Sequence, residues 1–128
     1  MIFDLVHMRR KNIAWAIEQN PTTITIERTE KVENNGGFEE NKAQIGPFVV
    51  RIFQINRNEN TDSQTIGTKL LVYGWGLLAD WHSDIRASSN IEDKFEVPNM
   101  GLFLIKAVYP QIVKNQIVGY HAALEVIS

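Results

Sequence analysis

The sequence predicts a mainly β protein: a small antiparallel β-barrel or sandwich of about six to seven strands, with one N-terminal amphipathic helix and two long loops. Three observations carry this expectation. Residues 93–127 hold three strand-type runs separated by two short turns. Upstream, apolar residues alternate or cluster over strand lengths, bounded by Gly, Pro, Asn and Ser. One segment alone, near the start, repeats with helical period. With 128 residues, no internal repeat and no linker-like stretch, the chain is expected to form a single domain over 1–128, its helix at 4–19 and its sheet over 22–127.

The helix is DLVHMRRKNIAWAIEQ. Asp4 can cap its start, and Asn20-Pro21 ends it, because the residue before proline avoids helical dihedrals. At 100° per residue, Phe3, Val6, Ile13, Ala16 and Ile17 share one face, with Arg10 at its edge. Met8 and Trp15 point roughly the other way and form a second, smaller apolar patch.

Residues 22–28 (TTITIER) alternate as a half-buried strand with Ile24 and Ile26 inward. The text from 29 to 46 turns polar, with five acids in residues 27–40 and a Gly36-Gly37 pair, and reads as a long mobile loop. Residues 47–55 (PFVVRIFQI) form a second strand. Residues 56–64 read as a second long loop, a feature that in small domains is commonly functional or disordered. Residues 68–73 make a third strand, running into the glycine-broken stretch GWGLLADWHSDI, which can bend or change sheet.

Residues 94–97 are a short strand with Phe95 and Val97 inward. Pro98-Asn99-Met100-Gly101 is a tight turn, and residues 102–109 are the longest apolar strand. A final hairpin turns at Lys114-Asn115 and returns through 120–127.

Totals narrow the function. A net charge of −2 disfavours a dedicated nucleic-acid binder, whose phosphate contacts need a basic excess. A third class of reading, a barrel that binds single strands on exposed aromatics, is disfavoured for the same reason. No cysteine is present, which removes disulfides, thiol nucleophiles and cysteine-based zinc sites and fits a reducing compartment. The start, MIFDLVHMRRK, has its basic run after its apolar residues, the reverse of a secretory signal, and no apolar run approaches bilayer length. A soluble protein that stays in the cell making it is therefore expected.

The sharpest chemical constellation is Asp80, His82 and Asp84. On an extended strand these alternate residues face one side, and an imidazole with two carboxylates can hold a divalent metal. That would make the chain a small metal-dependent hydrolase. The plainer reading, a solvated strand end with polar side chains outward, is preferred, because no fourth ligand can be named. Neither His7, His82 nor His121 has a serine on a constrained turn to activate. Gly74-Trp75-Gly76 and Gly67-Thr68-Lys69 lack the remainder of a phosphate loop. No catalytic residue, metal or other cofactor is assigned, and the chain is expected not to be an enzyme.

Interface candidates are Met8, Arg9, Arg10, Lys11, Trp15 and Trp75. Arg9, Arg10 and Lys11 form the one basic run, whose plainer reading is a solvated helix face. Tryptophan is enriched at binding hot spots. Core packing is the competing role, strongest for Trp81 in its apolar run and weakest for Trp15 and for Trp75 between glycines.

The run D-x-F-x-V, a turn, and alternating apolar residues ending in AVYP (93–110) resembles the head–tail joining proteins of bacteriophages and prophages, also called head-closure or head-completion connectors. The opening helix followed by NPTTITIERTEK, the segment GPFVVRIFQ and GWGLLADWHSDIRA are similar to one subgroup of prophage proteins of this size. The resemblance spans most of the chain. It implies a structural virion-assembly protein that joins the portal vertex to the tail as an oligomeric ring component. Its partners would be portal, adaptor and tail proteins of the same phage, with packaged DNA nearby but not read by sequence, and no membrane. Its location would be the bacterial host cytoplasm during assembly and then the virion. A tail-completion or minor tail protein is the alternative within the same particle. The resemblance carries no catalytic residue.

Overall fold

The structure is a computed structural model that describes residues 4–59 and 70–127; for Asn34, 56–59 and 70–73 the backbone alone is described. One helix, α1 (Leu5–Glu18), precedes six strands: β1 (Thr22–Asn34), β2 (Gly37–Glu59), β3 (Leu70–Asp80), β4 (Ile91–Val97), β5 (Gly101–Val113) and β6 (Gln116–Val126). All neighbouring strands are antiparallel, and they close into a barrel in the order β1-β2-β3-β6-β5-β4. The expected β class, the helix and the strand-rich 93–127 segment are all present.

The helix starts and stops for the reasons legible in its sequence. The Asp4 side chain accepts a hydrogen bond from the His7 backbone N–H at 3.2 Å, satisfying one of the donors a helix start leaves open. Val6 and Ile17 are buried, and Ile13 and Ala16 are half-buried beside them.

Inside the barrel, alternate residues of every strand meet. Ile24 and Ile26 of β1, Val50 and Ile52 of β2, Leu77 and Ala79 of β3, and Ala122 and Leu124 of β6 form one cluster with Phe95 and Phe103. Phe95 stacks on Phe103 at 5.5 Å between ring centroids, and Trp75 meets Phe103 edge-on at 5.6 Å. Such pairs add to the stabilisation from burying large rings.

Closing the barrel takes curvature. Register shifts between Ile24 and Ile26 along β1, and between Ile105 and Ala107 along β5, each place an unpaired residue in the ladder. Irregularities of this kind bend a strand and increase its twist.

Three expectations are corrected. The polar stretch 29–46 is paired strand, with partners from Thr29↔Lys42 to Asn34↔Gly37. Asn35 and Gly36 form its tip with φ of 47° and 86°, the left-handed pair that a two-residue hairpin requires. The polarity that suggested a loop reflects a ribbon wetted on both faces, where neither side needs apolar residues. The second expected loop, 56–64, is strand through Glu59, pairing with β3 as far as Glu59↔Leu70; its remainder lies outside the described residues, as does the expected strand start at 68–69. The glycine-broken stretch does not change sheet: β3 runs unbroken through Gly74 and Gly76 to Asp80.

The helix lies on the outer wall. A Cβ at Gly119 would sit 2.6 Å from Ile13 Cδ1 and 3.0 Å from the Ala79 carbonyl oxygen, so the wall is hollowed there to seat the helix. Arg51, outward on β2, donates to the Ala16 carbonyl at 3.1 Å and ties down the far end of the same helix. Gly119→Val should therefore destabilise the fold by about 1–3 kcal/mol through overpacking. Urea denaturation measures this, and adding Ile13→Ala should recover part of the loss.

Candidate functional site

Two surfaces and one barrel end hold the polar chemistry of this chain. The barrel end is built by β1, β4 and the segment that joins β3 to β4. Arg28 continues the inward series of Ile24 and Ile26, and Asp93 continues that of Phe95 and Val97, so both point into the barrel. They are directly opposite across the β1–β4 seam. Arg28 Nε donates to Asp93 Oδ1 at 2.8 Å and Nη2 to Oδ2 at 2.9 Å, a two-pronged pair with Asp93 fully buried.

The Asp84 carboxylate accepts from Arg28 Nη1 at 3.1 Å and from Arg86 Nε at 3.1 Å. Asp93 Oδ2 also accepts from the Arg86 backbone N–H at 2.8 Å. Between Asp84 and Arg86, Ile85 drops into the barrel core. Hydrogen bonding to Asp93 foremost, and to Asp84 after it, outweighs burial and raises the Arg28 pKa further above its already high ordinary value. Arg28 in turn holds the Asp84 carboxyl below the usual carboxylate range, with Arg86 assisting.

The three candidate ligands Asp80, His82 and Asp84 are not brought together. The strand that would align Asp80, His82 and Asp84 ends at Asp80, and a turn follows. Asp80 Oδ1 closes that turn, accepting from the His82 backbone N–H and from Ser83 Oγ, both at 3.0 Å. Asp84 is committed to two arginines, and the His82 ring lies against Trp81, tilted by 37° with centroids 3.8 Å apart. Among the described residues, no group of three His, Asp or Glu is placed to hold a metal ion.

The first surface is the helix. Its N-terminal half rests on the turn after β3: the Arg10 guanidinium carbon lies 3.7 Å from the Trp81 ring centroid, and Arg10 also donates twice to the Ile117 carbonyl at 3.1 and 2.9 Å. Arg10 thus anchors the helix to the barrel, at a contact where a cation over an indole is favourable. Arg9 and Lys11 are exposed, Met8 is half-buried, and Trp15 is 63% exposed.

The roles of the other two tryptophans are opposite to those expected. Trp75 points inward and packs on the core, while Trp81 lies beyond the strand end, partly in water beneath Arg10. The reason is alternation. Trp75 shares the parity of Leu77 and Ala79, and the turn at Asp80 ends that parity before Trp81.

The second surface is the β1–β2 hairpin. β4 pairs with β1 only from Glu27 to Glu30, so the ribbon runs on past the barrel rim by about 13 Å, four residues at ~3.3 Å each. At its tip Phe38 is 77% exposed. Phe38 was not among the residues singled out in the sequence, because it stood in a segment read as loop. The Arg28–Asp93 pair was also missed, although both residues occupy inward positions of recognisable strands. No family model, curated protein or solved structure matches this chain.

Removing one member of the buried pair leaves a charge stranded. Asp93→Ala should cost about 3–5 kcal/mol in chemical denaturation, and Arg28→Met with Asp93→Leu should restore most of it. Because the Asp84 carboxyl is depressed in the folded state, its contribution is complete above the unfolded value near 4 and disappears as pH falls through the lower folded value. The wild-type urea midpoint should accordingly fall more steeply below about pH 4 than that of Asp84→Asn.

Proposed function

We propose that this chain is a structural assembly part: a head–tail connector of a phage or prophage, joining a portal vertex to a tail as one subunit of a ring. The observation that carries the reading is the form of its exposed features. The helix face around Trp15 and the hairpin tip around Phe38 project from a rigid barrel as protein-binding surfaces do, with large aromatic side chains set in water among charges. The carboxylates with the most elaborate bonding, Asp84 and Asp93, are spent on closing the barrel. The sequence resemblance over residues 93–110 points to the same class.

In this role the barrel is a spacer of fixed shape, and docking is multivalent. Weak contacts from helix and hairpin add up once several copies are held around a common axis, because later contacts form at high effective concentration. The metal-dependent hydrolase reading has no support from the arrangement of Asp80, His82 and Asp84.

Purified protein mixed with portal vertices should appear in electron micrographs as added density at the tail-side end. Vertices that remain bare at saturating protein, with no binding to tail structures either, overturn the connector reading.

A further inference from the structure

Arg9, Asn12, Ile13 and Ala16 fall at i, i+3, i+4 and i+7 of the helix and form one stripe along its flank. That stripe is one wall of a cleft of about 400 Å³, a volume within the range of small-molecule sites. The barrel supplies the other wall, with Leu78 of β3, His121 of β6 and Ile112 near the end of β5.

The two ends of the cleft differ. At one end stands Arg9, which is exposed and makes no hydrogen bond or ion pair among the described residues. Its neighbour Arg10 is instead committed to the Ile117 carbonyl and to Trp81. The Asn12 amide lies one turn along from Arg9 and adds a neutral donor. At the other end, Leu78 is directly opposite both Arg51 and His121, and Arg51 reaches the Ala16 carbonyl. Ala16, Leu78 and His121 therefore close the cleft together, the imidazole held edge-on against Phe53 with centroids 6.4 Å apart.

Between the ends the walls are apolar. Ile13 and Leu78 line them, and Ile112 stands at the rim, 60% exposed. From Arg9 to Ala16 the helix rises about 10 Å at ~1.5 Å per residue. No Asp or Glu lines the cleft, so its fixed charge is the Arg9 guanidinium.

We propose that this cleft binds a small organic carboxylate with an unbranched apolar body. The Arg9 guanidinium takes the carboxylate through its paired N–H donors, and the Asn12 amide donates to an oxygen left free. The apolar body runs along Ile13 and Leu78 toward Ala16 and covers Ile112, an apolar side chain otherwise left in water. Such a ligand touches helix and barrel at once, so its binding ties the helix more firmly to the wall.

The site does not rest on the connector reading and stands or falls apart from portal binding. The probe is octanoate below its micellar range, followed by the methyl resonances of the full chain. Saturable shifts are expected at Ile13, Leu78 and Ile112. Octan-1-ol has the same body without the charge, and octylammonium reverses the charge. The alcohol should bind about 10-fold more weakly than octanoate, since a bond to a charged group is worth more than a neutral one, and the ammonium more weakly still. Arg9 is exposed, so Arg9→Met should keep the wild-type urea midpoint without ligand. It should lose about 10-fold in octanoate affinity, leave octan-1-ol binding unchanged and abolish the rise in urea midpoint that octanoate gives the wild type. Arg9→Lys should recover part of the affinity, because it restores the charge without the fork. Absence of saturable shifts, octylammonium bound as tightly as octanoate, shifts centred away from the cleft, or octanoate affinity indifferent to Arg9→Met each overturn the proposal.

Discussion

Arg28 stands at an inward position of β1, where the barrel core gives way to its end, and nothing apolar can satisfy a guanidinium there. Its partner Asp93 comes from β4, the strand that must meet β1 for the barrel to close. A buried charge pair is seldom a large net source of stability, but an unmatched member of one is costly, so the pairing punishes any register other than the native one. The same arginine draws in Asp84, and with it the connection from β3. Ile85 can then enter the core and seal the end. The strand β1 is thereby tied at one group to β4 and to the connection that leads into it, both more than fifty residues further along the chain.

With the barrel closed, its outer wall becomes a platform. Gly119 leaves room for Ile13, while Arg10 and Arg51 bind the helix to the backbone carbonyl of Ile117 and by its own Ala16 carbonyl. The helix spends its apolar stripe on this wall and leaves Trp15 outward. On another side the β1–β2 ribbon outruns its neighbours and carries Phe38 away from the core. Both projecting aromatics are consequences of a body that is already complete without them, which is why their exposure suggests partners.

Several elements were legible in the residues themselves. Asp4 and Asn20-Pro21 bound the helix, Ile24 and Ile26 mark the inner face of β1, and Lys114-Asn115 sits at a hairpin tip with φ of 50° and 64°. The acidic residues of the long ribbon suggest a loop, but Asn35-Gly36 is the stronger signal and marks a hairpin tip. Neighbouring composition suggests an exposed Trp75 and a buried Trp81, and alternation along β3 assigns them the other way. The Asp80, His82, Asp84 cluster failed for a related reason: its convergence needs a strand, and the Asp80 carboxylate instead caps the turn that ends one.

What the sequence determined by itself is local: periodicity, capping, turn residues, and hence the β class with its single helix. These depend on neighbours a few residues apart, and their energetics are written into adjacent side chains. The tertiary structure alone decided that the sheet closes as a barrel. It also decided that β1 pairs with β4 and that Arg28 and Asp93 meet. Each of these depends on contacts between residues far apart in the chain, such as Arg28 and Asp93, where composition and spacing hold no record of who the partner is.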